Sequence, residues 1–234
     1  MAARFAHVSV PAEREPGALT AVSPGALLLA LALPLLLLHR AYQPSVSVSL
    51  AGTSATGYLS DFAVAAVVLA AVAAWLRRRG DALRAGAPLW AAGAVFLAWV
   101  ALEVAYGRAH SGAYDAAAHA VTAAKFAEYA LLAPAVAVLV RRHGDLLAVL
   151  WSLALSCGAA TVVALAQFFG ADVALAVQAG RRQASFLGYA DYSTLAVVAA
   201  VVGVAALTVP SLRLDRRLGL VALVSGGLGT ILAG

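Results

Sequence analysis

Long apolar runs alternate with short polar intervals along nearly the whole chain. The runs cover 19–38, 58–76, 86–106, 119–140, 146–169 and 192–209, and a seventh begins near Leu218 and is cut off at Gly234. Each of the first six is close to the ~20 residues a helix needs to cross roughly 30 Å of hydrocarbon. The pattern predicts an all-α, polytopic transmembrane helical bundle of about seven spans, the last truncated. Pro34 predicts a kink in the first span, because proline cannot donate to the carbonyl four residues back. Ahead of the helical domain, 19–234, residues 1–18 mix Arg4, Glu13, Arg14 and Glu15 with Pro11 and Pro16, and read as a disordered tail. A cleaved signal peptide is the competing reading of the first run; His39 and Arg40 follow it where a small-residue cleavage site belongs.

Composition agrees with that pattern. The 234 residues are 63% hydrophobic and 12% charged, with a mean hydropathy of +0.91, well beyond a water-soluble domain of this length. The net charge of +5 comes from arginines clustered between apolar runs, without the interleaved aromatics of a nucleic-acid surface. Arg77, Arg78, Arg79, Arg84, Arg141, Arg142, Arg213, Arg216 and Arg217 occupy alternate loops, and the loops between these hold Arg40, Arg108, Arg181 and Arg182. The positive-inside bias therefore predicts a cytoplasmic N-terminus and puts 181–194 outside. Cys157 is the single cysteine, which excludes an intrachain disulfide and a thiolate metal cluster.

Ionisable residues inside spans cost about 2.5–3.5 kcal/mol each on insertion scales, so their positions carry information. Asp61, Glu103, Lys125 and Glu128 all fall toward the outer side. Lys125 and Glu128 are three apart and share a helix face, a spacing that suits an ion pair. Two readings stand: the pair fixes helix packing, or it lines a wet cavity that binds a polar substrate. In the loop 107–118, His110 lies nine residues before His119, a spacing that matches no compact metal signature. No metal or nucleotide cofactor is expected, since nucleotide-binding glycine loops are also missing from the sequence. Gly226-Gly227-Leu228-Gly229 falls in an apolar run and reads as a close helix contact.

The stretch 181–194 is the main candidate for chemistry. Arg181 and Arg182 precede a helix that presents its N-terminus outward, where free N–H groups and the helix dipole favour an anion such as phosphate or diphosphate. Guanidiniums bind such oxygens in pairs. Interfacial snorkelling is the alternative for both arginines. Asp191, ahead of Ser193 and Thr194, reads as an N-cap.

Three pieces of the chain resemble the O-antigen ligase and O-antigen polymerase-like membrane glycosyltransferases. Arg182-Gln183-Ala184-Ser185-Phe186 is similar to that family's outer-face Arg-x-x-Gly/Ser-x-Phe segment, although Phe186 follows Ser185 directly. Tyr189-Ala190-Asp191 stands where the family has His-Pro-Asn. Lys125-Phe126-Ala127-Glu128-Tyr129 and Gln167, near the outer end of the span before the arginine segment, also look like the family; Gln167 reads equally as a polar residue satisfied by a neighbouring helix. The resemblance implies transfer of a glycan from a polyprenyl-diphosphate carrier to an acceptor on the extracytoplasmic face, with Arg181 and Arg182 holding the diphosphate and Lys125 and Glu128 shaping the cavity. It also implies a catalytic outer loop beyond Gly234, so the chain reads as the N-terminal part of a longer protein, inactive by itself. The other function class is a non-enzymatic multi-pass protein, part of a transporter or a scaffold, in which these charges only pack helices.

Overall fold

The computed structural model describes residues 21–50, 53–77, 81–110, 115–173 and 182–233. The expected tail, 1–18, and Arg181 lie outside them. Ten elements follow in order: α1 (Pro24–Leu37), β1 (Ser45–Leu50), β2 (Thr53–Tyr58), α2 (Leu59–Arg77), α3 (Ala87–His110), α4 (Ala116–Ala130), α5 (Leu132–Leu139), α6 (His143–Phe168), α7 (Tyr189–Thr208) and α8 (Arg216–Ala233). With α4 and α5 taken as one rod, six helices are long and apolar enough to cross a membrane. The chain is an all-α, multi-pass membrane bundle.

The first span is shorter than its apolar run. Ser23 caps α1 by accepting the N–H of Ala26, Pro24 occupies the first helical position, and the helix ends at Leu37, 14 residues in all. At 1.5 Å per residue that is about 21 Å, less than the hydrocarbon core. Pro34 leaves the Ala30 carbonyl without its intrahelical donor, and the Ser152 hydroxyl of α6 donates to it at 2.5 Å. Between α1 and α2 the sequence reading placed only a loop. The Ser–Val alternation of Ser45-Val46-Ser47-Val48-Ser49 instead forms one strand of an antiparallel hairpin, with Ser45 opposite Tyr58. α3 runs four residues beyond the expected span, to His110, and buries no residue. Asp115 starts α4 by accepting the N–H of Ala118 at 3.0 Å.

Two sets of contacts hold the bundle. α1, α2 and α5 share one core around Leu29, Val67, Ala71, Ala135 and Val138. α6, α7 and α8 share another around Cys157, Ala160, Tyr192 and Leu232. α7 and α8 touch through glycine: a Cβ on Gly203 would lie 2.4 Å from the Leu223 nitrogen, and one on Gly226 2.4 Å from the Ala200 nitrogen. Thr161 donates to the Ser225 carbonyl at 3.0 Å, and the Tyr192 hydroxyl donates to Thr161 at 3.2 Å, so the three helices are also joined by hydrogen bonds.

The ends of the bundle differ in charge. Asp145, on the first turn of α6, accepts the N–H groups of Ser23, Arg141 and Arg142, tying the start of α1 to the start of α6. His143 reaches the Arg213 carbonyl at 3.1 Å, bringing the α7–α8 connection to the same end. This arginine end is opposite the hairpin.

Candidate functional site

At the hairpin end, α6 finishes in a glycine turn. Gly170 takes a φ of +85°, its N–H bonds the Gln167 carbonyl, and the Ala171 N–H bonds the Ala166 carbonyl. This pair of bonds closes a helix end on a left-handed residue. It leaves Gln167 buried on the last turn, where its Nε2 donates to the Val173 carbonyl at 2.8 Å and its Oε1 accepts the Ser185 N–H at 2.9 Å.

From there the stretch 182–188 folds back into the bundle. The Gln183 N–H bonds the Leu232 carbonyl at the end of α8, using one of the acceptors a helix C-terminus leaves open. Ser185 is fully buried, and its hydroxyl donates to the Ala160 carbonyl at 2.7 Å. Ala160 precedes Phe168 by two turns, roughly 12 Å of helix. The Phe186 carbonyl accepts the N–H of His39 at 3.2 Å, which brings in the end of α1. Ser185 has a φ of +55°, a left-handed conformation that non-glycine residues hold where the surroundings fix it. Gly188, at φ +91°, turns the chain into α7; a side chain there would press on His39.

This corrects the sequence picture twice. The stretch is a re-entrant plug, with Gln183, Ala184, Ser185 and Leu187 buried, and only its leading residue, Arg182, is exposed among those described. The N-cap of α7 is Gly188, which offers no side-chain acceptor, while Asp191 sits in the first turn and is exposed. The plug forms because Ala184, Phe186 and Leu187 carry enough apolar surface to enter the bundle once the polar atoms between them find partners. Arg182 therefore stands at the head of the plug, next to the Gln183 N–H that bonds the end of α8.

Lys125 and Glu128 belong to a second cluster, built on α2, the hairpin and α4. Lys125 Nζ lies 2.7 Å from Asp61 Oδ2 and donates to the Thr56 carbonyl at 2.7 Å, with the Tyr58 ring 5.0 Å away. The Asp61 carboxylate also accepts the Tyr58 N–H and the Tyr129 hydroxyl, and Tyr129 reaches Ser60 at 3.1 Å. The partner of Lys125 is thus Asp61 rather than Glu128. Asp61 wins because the first turn of α2 presents its carboxylate at the hairpin carbonyl that Lys125 also binds. Glu128 is half-buried one turn on, within electrostatic range of both charges. Glu103 lies on the exposed face of α3.

The two clusters meet through the end of α1. Gln43 donates to the Leu35 and Leu38 carbonyls and accepts the Ser60 N–H at 2.8 Å, so the residue next to Asp61 and the residue next to His39 share one side chain. Sequence reasoning missed Gln43, Asp61 as the pairing partner, and Ser152. Only Asp61 left a trace, as an ionisable residue inside a span on the same side as Lys125.

Beside the plug, an apolar groove of about 510 Å³ runs between α1 and α6. Phe186 and Leu187 form its upper wall, and it descends past Pro34 and Ser156 to Ala30 and Ala148.

Comparisons with protein-family models, characterised proteins and solved structures find no match. Function therefore rests on the groove, the plug and the charges around them.

Proposed function

We propose that the chain is the membrane part of a glycosyltransferase that moves a glycan from a polyprenyl-diphosphate carrier to an acceptor on the extracytoplasmic face, as O-antigen ligases and polymerases do. The observation that carries this reading is a juxtaposition: the braced plug that presents Arg182 also walls the α1–α6 groove through Phe186 and Leu187. A ligand with an anionic head and a long apolar tail suits both features together. In this reading the protein lies in the cell membrane with its arginine end and N-terminus cytoplasmic, which is where the positive-inside bias puts arginine.

The chemistry gives the guanidinium a definite task. The bond between the sugar's anomeric carbon and the diphosphate oxygen breaks, and a new bond forms to an acceptor hydroxyl, whose proton passes to solvent. The departing polyprenyl diphosphate gains a negative charge. Arg182, with Arg181 beside it in sequence, would stabilise that charge by paired N–H bonds. Lys125 and Glu128 would shape the outer rim of the bundle through Asp61.

One observation favours a non-enzymatic bundle instead: Lys125 is occupied by Asp61 and Thr56, as a packing charge would be. The deciding experiment is Arg182→Ala in the full-length protein. Losing a charge-assisted contact to the diphosphate should cut glycan transfer roughly ten- to hundredfold while membrane insertion stays intact. Unchanged transfer would contradict the diphosphate role.

A further inference from the structure

At the arginine end a second pocket, of about 280 Å³, opens where α1 begins against α2 and α5. Its walls are Ala70, Ala73, Ala74, Val138 and Leu139, with Ser23, Pro24 and Gly25 along one rim and Arg77 at its mouth. Gly25 sets the width, since a Cβ there would lie 2.6 Å from Leu139 Cδ2. Arg77 is exposed and pairs with no carboxylate among the described residues. Two more cations are close by construction. The Asp145 carboxylate that holds the Ser23 N–H at 2.7 Å also holds the backbones of Arg141 and Arg142, at 3.2 and 3.1 Å, and both arginines are exposed. Asp145 itself is 1% exposed and its carboxylate oxygens are taken up by backbone N–H groups.

The pocket thus combines apolar helix walls with a cationic mouth, and Arg77 is the last residue of α2, a helix long and apolar enough to cross a membrane. Water-soluble anions have no use for the walls, and neutral lipids have no use for the mouth. An anionic phospholipid uses both, its phosphate at Arg77 and an acyl chain along Ala73 and Val138. Basic pockets between transmembrane helices on the cytoplasmic side recognise such headgroups, and the positive-inside bias would put this end there. We propose that this pocket is a binding site for one anionic phospholipid of the surrounding leaflet, with Arg77 as its principal headgroup contact and Arg141 and Arg142 as the flanking charges. The proposal does not depend on the glycosyltransferase reading.

The test is native mass spectrometry of the purified protein in a zwitterionic detergent, titrated with phosphatidylglycerol and with phosphatidylcholine of the same acyl chains. One phosphatidylglycerol should bind about tenfold more tightly than phosphatidylcholine, and Arg77→Gln should weaken it about fivefold. Ala73→Phe, at an exposed position of the wall, should exclude the acyl chain and lose the bound lipid. Arg216→Gln, at the same end but on α8, should retain it. Equal binding of the two lipids, retention by both Arg77→Gln and Ala73→Phe, or displacement by millimolar inorganic phosphate would each overturn the proposal.

Discussion

Gln167 is the side chain that ties the plug to the end of α6. It joins the end of α6 to Ser185 on one side and to Val173 on the other, from a position that is 4% exposed. Gln167→Leu keeps the volume and deletes these two bonds among its contacts, so the Ser185 N–H and the Val173 carbonyl lose that partner. We expect a loss of about 1–3 kcal/mol in stability. Faster hydrogen exchange at Ser185 to Gly188 would accompany it, while the core of α6 around Ala154 stays protected; exchange unchanged at the plug would show that the glutamine does not hold it. The sequence marked Gln167 as a polar residue at a span's outer end but could not name its partners, because 182–188 has neither helical nor strand periodicity. Lys125 is the same lesson in reverse. Helical spacing offered Glu128, and the chosen partner is Asp61, 64 residues away.

Among the elements, the helices were easy to read and their contacts were not. The expected span 58–76 agrees with α2 to within a residue at each end, since apolar length alone sets it. α1 is different: its apolar run continues past both ends of the helix, and Ser23 and the last turn before His39 decide where it stops. Glycine positions on α8 illustrate why faces are harder than spans. Gly226 and Gly227 are neighbours in one motif, yet a Cβ on Gly226 would meet the α7 backbone while one on Gly227 meets nothing within 4 Å. Gly226→Ala should therefore destabilise the α7–α8 pair by about 1–3 kcal/mol through overpacking. Gly227→Ala should be neutral or raise stability by up to about 1 kcal/mol, because alanine is the better helix former. Thermal unfolding of the two variants in the same detergent separates them, and similar losses would contradict the packing described.

On the scale of the molecule, the division into two ends was legible and the arrangement within each end was not. Loop arginines pointed to one end, and the Asp145 and His143 contacts bring the backbones of Arg141, Arg142 and Arg213 together there. At the other end, the sequence supplied Arg182 as one candidate and Lys125 paired with Glu128 as another. Folding distributes them over a plug held by α1, α6 and α8 and a cluster held by α2, α4 and the hairpin, with Gln43 between. Our proposal is that the plug and the α1–α6 groove serve one lipid diphosphate. Its most direct test is the affinity of purified protein for a polyprenyl diphosphate, compared among wild type, Arg182→Ala and the groove-filling Ser156→Phe. The account predicts that Arg182→Ala weakens binding roughly ten- to hundredfold and that Ser156→Phe, which leaves the arginine untouched, weakens it as well. Wild-type affinity in both variants would contradict it.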